Sequence, residues 1–202
     1  MRALALNGTL KPSPAKSSTD ALTRVVLDAL GRQDVDCEMV RLADYDIAPG
    51  VVSEAVRDGD EWPQIHAKIL AADILILATP TWAGQPSSVI KRAVERMDAL
   101  LSETDAEGVP VAYNKVAGFV VTGNEDGAHH VISEVAGALI DIGYTVPGQS
   151  WTYWNRGPGP GPSYSETDEG KDWSHSTGRA AAQNLLAVAQ ALAAKPMSAP
   201  PS

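Results

Sequence analysis

The sequence predicts an α/β fold: a three-layer, doubly wound five-stranded parallel sheet in the order 2-1-3-4-5. Three observations point there. Short apolar runs alternate with segments of helical period along most of the chain. The runs are almost continuously apolar, as strands covered on both faces must be. Loops rich in small and polar residues follow the strand carboxyl ends, where open α/β sheets bind ligands.

The elements follow in order. Ala3–Leu6 reads as a buried strand, and Thr19–Leu30 as a helix with Leu22, Val25, Val26, Ala29 and Leu30 on one face. Asp36–Leu42 is a second strand and Glu61–Ala71 a second helix. Ile74–Ala78 is the clearest strand, running into Thr79-Pro80. Ile90, Val94, Met97 and Leu101 mark a helix. Val116–Val121 is the fourth strand and Ala128–Ile142 the next helix. Tyr144–Val146 or Gln149–Tyr153 supplies the fifth strand, and Ser176–Ala193 the final helix. Residues 1–194 form one domain, with 155–172 a long Gly/Pro-rich loop and 195–202 a flexible tail.

Composition limits the function. The chain has 202 residues, of which 44% are hydrophobic and 20% charged, enough for a substantial core. A net charge of -9 disfavours nucleic acid and anionic membrane surfaces as partners. No apolar run reaches membrane-span length, and the run after Met1 is too short for a signal peptide, so a cytoplasmic location is expected. The lone Cys37 allows no internal disulfide or cysteine metal cluster and reads as a packing residue. His129 and His130 are adjacent and point about 100° apart on a helix, so no metal site is expected. No G-x-S-x-G, G-x-G-x-x-G or P-loop pattern is present.

Three loops carry the chemistry. The first strand runs into Asn7-Gly8-Thr9-Leu10-Lys11, and the first helix opens at Ser17-Ser18-Thr19-Asp20. Free N–H groups at a helix start, with hydroxyls beside them, suit a phosphate monoester. The same residues also read as ordinary helix caps. The second loop is Thr79-Pro80-Thr81-Trp82-Ala83-Gly84-Gln85-Pro86-Ser87-Ser88, where an indole can contact a flat heteroaromatic ring or anchor the loop. The third is Thr122-Gly123-Asn124-Glu125-Asp126-Gly127. Tyr153, Trp154 and Tyr164 read equally as a substrate wall or interface and as internal packing.

These three loops resemble those of the flavodoxin-like NAD(P)H-dependent FMN reductases, a group that includes related quinone and azo-dye reductases, from Met1 to about Leu192. The resemblance implies that Thr9, Lys11, Ser17, Ser18 and Thr19 hold the FMN phosphate. It implies that Pro80, Thr81, Trp82, Ala83, Gly84 and Gln85 cradle the isoalloxazine. Thr122, Gly123, Asn124, Glu125 and Gly127 then flank the ring from the other side. The family usually carries Gly-Ser-x-Arg in the first loop; here a lysine, Lys11, stands for the arginine. The implied activity passes electrons from NADPH or NADH through FMN to a small acceptor such as free flavin or a quinone, with no obligatory side-chain acid or base. A homodimer or homotetramer is implied as well. The alternatives are a flavodoxin-type electron carrier serving a protein partner, and a binding protein that has lost flavin.

Overall fold

The computed structural model describes residues 1–157 and 161–200. Its strands are β1 (Arg2–Asn7), β2 (Asp36–Arg41), β3 (Ile74–Trp82), β4 (Gln85–Pro86), β5 (Val116–Gly123) and β6 (Trp151–Asn155). Its α-helices are α1 (Ser18–Gly31), α2 (Trp62–Ala71), α3 (Ser88–Met97), α4 (Ala128–Ile142) and α5 (Lys171–Ala194). Five strands run parallel in the order β2-β1-β3-β5-β6, while the two-residue β4 pairs antiparallel with the end of β3. Without β4, this is the 2-1-3-4-5 order the sequence predicts, and the fold is flavodoxin-like.

Alternation within the strands divides the core into two layers. Leu4, Leu6, Leu75, Leu77, Phe119 and Val121 face α2, α3 and α4. Ala3, Ala5, Ile74, Ile76, Ala78 and Val120 face α1 and α5. The alanines on the second face keep that surface low. The parallel register brings Asn7, Ala78 and Val120 level, so β1, β3 and β5 end at the same edge.

The structure corrects three boundaries at the C-terminal end. The fifth parallel strand is Trp151–Asn155; Tyr144–Val146 contributes only a bridge between Val116 and Thr145. The last helix begins at Lys171, five residues before the apolar period starts. Its first turns pack through small residues: Gly178 lies against Val25 and Val26, where an added Cβ would come within 3.4 Å and 3.5 Å. The 155–172 segment is not one open loop. Asn155 belongs to β6, Tyr164–Glu166 forms a 3₁₀ turn, and Lys171 and Asp172 open α5. Residues 158–160 of that segment lie outside the described residues. The expected tail is partly docked, since Asn114 exchanges hydrogen bonds with the Met197 backbone at 2.7 Å and 3.2 Å; residues 201–202 are not described.

The connection from β2 to α2 is pinned by a buried ion pair. Arg96 Nη1 donates to Asp60 Oδ2 at 2.7 Å, and both side chains are fully buried. Arg96 also donates to the carbonyls of Ala48, Val52 and Glu54. Asp60 accepts from the N–H groups of Ala48, Val56 and Trp62. Burial would raise the Asp60 pKa, but the Arg96 guanidinium and the three N–H groups hold it far below the usual carboxylate range.

Candidate functional site

The first loop is rigidly held. Asn7 is buried, and its Oδ1 accepts from the Thr9 N–H at 3.0 Å, turning the chain out of the sheet. Gly8 sits where a Cβ would meet Ile90 Cβ at 2.8 Å and Ser87 Oγ at 2.9 Å, so the close approach of β1 to the second loop requires glycine. The Ser87 hydroxyl donates to Gly8 O at 2.6 Å and accepts from the Ile90 N–H, joining the two loops and capping α3. Further along, Arg41 donates to the carbonyls of Ala15 (2.8 Å) and Lys11 (3.4 Å) and pairs with Asp20 (3.0 Å). Ser13 donates through both N–H and hydroxyl to Asp44; the Ser13 hydroxyl is the main reason the Asp44 pKa is lowered.

Ser17 caps α1, accepting from the Asp20 N–H at 3.2 Å. The cap reading of Ser17 is therefore right. It leaves the N–H groups of Ser18 and Thr19 without a protein acceptor among the described residues. Thr19 Oγ1 lies 2.8 Å from Thr122 Oγ1, which links the first loop to the third.

These segments enclose an open cavity of ≈ 710 Å³ including its mouth. The first loop and α1 supply Thr9, Leu10, Lys11, Ser17, Ser18 and Thr19. The end of β3 supplies Pro80, Thr81 and Trp82, and the third loop Thr122, Gly123 and Asn124. Trp82 stands at the mouth, 52% exposed. The Thr81 hydroxyl is buried and has no protein partner among the described residues. Lys11 and Tyr164 are the only titratable side chains among the lining residues.

Five of the residues implied by resemblance stay behind the rim. Ala83, Gly84, Gln85, Glu125 and Gly127 do not line the cavity; Gly84 meets Glu125 and Gly127 where the second loop packs against the third. Ala83 (φ 51) and Gly84 (φ 73) form the two-residue turn between β3 and β4. The Gly84 N–H points to Glu125 Oε1 at 3.4 Å. Gly127 (φ 110) caps α4, and a Cβ there would come within 3.2 Å of Gly84 Cα. Gln85 Nε2 lies 3.0 Å from His130 Nε2. His129 packs edge-on against Trp151 and Tyr153 on the surface of β6. No cluster of three metal-ligating side chains occurs among the described residues.

A fourth wall comes from the C-terminal segment: Trp154, Ser163 and Tyr164. Trp154 and Tyr164 are both 4% exposed, so each is core and cavity lining at once. Leu10 and Ser163 carry no motif that singles them out. Burial raises the Tyr164 pKa; burial, then the charges of Arg179 and Lys171, lowers that of His175. The phenol and the imidazole are therefore both neutral at pH 7 and share a hydrogen bond, with Tyr164 Oη 2.6 Å from His175 Nε2. Because the folded-state pKa of His175 lies below its ordinary 6.5, the unfolded chain binds this proton first on acidification. Stability contributed here is present above pH 6.5 and is lost as pH falls through the folded value. Urea unfolding from pH 8 to pH 5 is expected to show a shallower decline for His175→Gln than for the unaltered chain.

Comparison with known proteins places this geometry. Residues 1–157 match the family model described as NADPH-dependent FMN reductase. The "8-demethyl-8-aminoriboflavin-5'-phosphate synthase" of Streptomyces davaonensis is 38% identical over 176 residues, covering 82% of this chain and 68% of that protein. The "Divalent metal cation transporter MntH" of Mycobacterium bovis is 37% identical over 206 residues, covering 99% of this chain, which spans only 30% of that protein's length. The crystal structure of RosB with bound 8-demethyl-8-formylriboflavin-5'-phosphate superposes with a TM-score of 0.85 at 32% identity, covering 98% of this chain and 82% of that one. With a matched model over more than three quarters of its length and a flavodoxin-like sheet, the chain belongs to the NADPH-dependent FMN reductase family of FMN-binding oxidoreductases.

Proposed function

We propose that the cavity at the sheet's carboxyl edge binds FMN and that the chain oxidises NADPH or NADH, passing the electrons to a small acceptor such as free flavin or a quinone. The observation that carries this reading is the pairing of two uncommitted N–H groups at the start of α1 with an indole at the mouth of the same cavity. The donor set fits a flavin monophosphate: Ser18 and Thr19 N–H, neighbouring hydroxyls and the single cation Lys11 suit the phosphate. The partnerless Thr81 hydroxyl and the surface of Trp82 suit the polar edge and flat face of a ring.

Bound flavin supplies the hydride and electron chemistry; the protein binds, orients and shields. The first loop fixes the phosphate end. Pro80, Thr81, Trp82 and Gly123, which line the cavity, would hold the ring. With Lys11 and Tyr164 the only titratable lining residues, and Tyr164 engaged by His175, the site is built for positioning rather than side-chain acid–base catalysis. We place the enzyme in the cytoplasm as a homodimer or homotetramer.

Anaerobic addition of NADPH to the protein with bound FMN is expected to bleach the flavin rapidly. Absence of bleaching with either nicotinamide overturns the reductase reading and leaves the electron-carrier one. Trp82→Ala is expected to weaken FMN binding by about tenfold at nearly unchanged stability, because the indole is half exposed. Unchanged affinity and turnover would remove Trp82 from the site.

A second reading is favoured by the Streptomyces davaonensis synthase and by RosB: the flavin itself is the substrate and leaves chemically altered. Mass spectrometry of flavin recovered after turnover separates the two. An unchanged mass supports the reductase.

A further inference from the structure

The segment from Ser163 to Lys171, which follows a run of glycines and prolines, is firmly tied down and closes one side of the cavity where α1 begins. The Ser18 hydroxyl, on the first residue of α1, points to Ser165 Oγ at 3.5 Å. The turn itself is locked: Ser163 donates to Glu166 Oε2 through its N–H and its hydroxyl, both at 2.9 Å. Tyr164 is fastened from four sides. Its hydroxyl lies 2.6 Å from His175 Nε2 on α5, Trp154 meets its ring edge-on at 5.7 Å, Lys171 Nζ lies 5.2 Å over the ring, and the rest packs in the core beneath α1. Trp154 is itself fixed by Nε1–H donation to Glu169 O at 2.8 Å.

From this wall, and resting on the FMN reading above, we infer that Tyr164 and the turn it anchors select a flavin that ends in a phosphomonoester and exclude one extended by a second phosphate and a nucleoside. A terminal phosphate at the Ser18 and Thr19 N–H groups needs no path beyond the helix start. A dinucleotide such as FAD must continue past it. On one side the loop carbonyls of Lys11 and Ala15 are held by Arg41. On the other stands the Ser163–Glu166 turn. Glu166 is ionised, its pKa lowered first by the Ser163 N–H, and it feels the charge of Lys11. The exposed Glu166 carboxylate adds negative charge beside that wall. Tyr164 is thus a specificity residue, and His175, which touches it and not the cavity, is a positioning residue.

The test is equilibrium dialysis of FMN and FAD against the unaltered chain, Tyr164→Ala, His175→Ala and His175→Gln. The unaltered chain is expected to prefer FMN by at least about 100-fold, since two unfavourable contacts cost about 3 kcal/mol. Tyr164→Ala is expected to cut that preference about tenfold, chiefly by admitting FAD, and His175→Ala to cut it several-fold. His175→Gln, whose amide oxygen can accept from the phenol, is expected to restore it. A merely structural role would lower both affinities together and leave the ratio unmoved; that result in both alanine variants overturns the inference. Equal binding of FMN and FAD by the unaltered chain overturns it too, while the flavin reading stands. If neither flavin binds, the functional reading itself fails and takes the selector with it. Should Tyr164→Ala not fold, the His175 pair decides.

Discussion

Arg96→Met is expected to lower the unfolding free energy by about 3–5 kcal/mol, the usual penalty for stranding one half of a buried ion pair. Asp60 would keep its three N–H donors but lose the guanidinium, inside a region that excludes water. The carbonyls of Ala48, Val52 and Glu54 would lose their donor at the same time. A methionine fills the stem of the arginine and cannot replace any of these bonds. Acid titration supplies a second readout. In the unaltered chain the Asp60 carboxyl is depressed, so its stabilising contribution is present above its ordinary pKa of 3.8 and is lost as pH falls through the lower folded value. In Arg96→Met the burial cost is no longer opposed by a cation, and the loss moves to higher pH. Urea melts at pH 7 and pH 4 check both points. A change below about 1 kcal/mol at pH 7 would show that the connection between β2 and α2 is held by its apolar contacts instead.

Ser18→Pro is expected to weaken FMN binding by about 10- to 100-fold while leaving the melting temperature unchanged or slightly raised. Proline at the first helical position removes only an N–H that the helix does not use. Ser17 already has the extended backbone, φ -130 and ψ 128, that a following proline demands. A hydrogen bond to a charged acceptor contributes about 1.5–3 kcal/mol, which sets the expected range. Ser18→Ala is the companion, since it deletes the hydroxyl and keeps the N–H; it is expected to cost only a few-fold. Calorimetric titration with FMN, beside thermal melts, separates the two. Equal affinities for the proline and alanine variants would mean that the helix start does not hold the phosphate.

The fold was legible wherever a segment's environment is uniform. Ile74–Ala78 is apolar throughout because both faces of β3 are covered, and the three loops declared themselves by following strand ends. Eleven of the sixteen residues implied by resemblance line the cavity and the other five lie behind it, a distinction that motif spacing does not carry. Trp154 and Tyr164 read equally as a wall and as packing because that wall depends on contacts that no local pattern encodes. Tyr164 is held by His175 and Trp154, each about ten residues away, and the Gly/Pro run before Ser163 gives no hint of the turn that follows it. Arg96 and Asp60 lie 36 residues apart, and no local pattern joins them. The start of α5 escaped because its packing face is made of Ser174 and Gly178 rather than large apolar side chains.

The Arg41 clamp has a kinetic consequence. With the carbonyls of Lys11 and Ala15 already drawn toward β2 and Ser13 seated on Asp44, the phosphate loop has little conformational freedom left to lose when an anion arrives. Encounter is then governed by diffusion and orientation rather than by folding of the loop, so association follows a single exponential whose rate rises linearly with ligand concentration. Differences among flavins are written in how long each one stays.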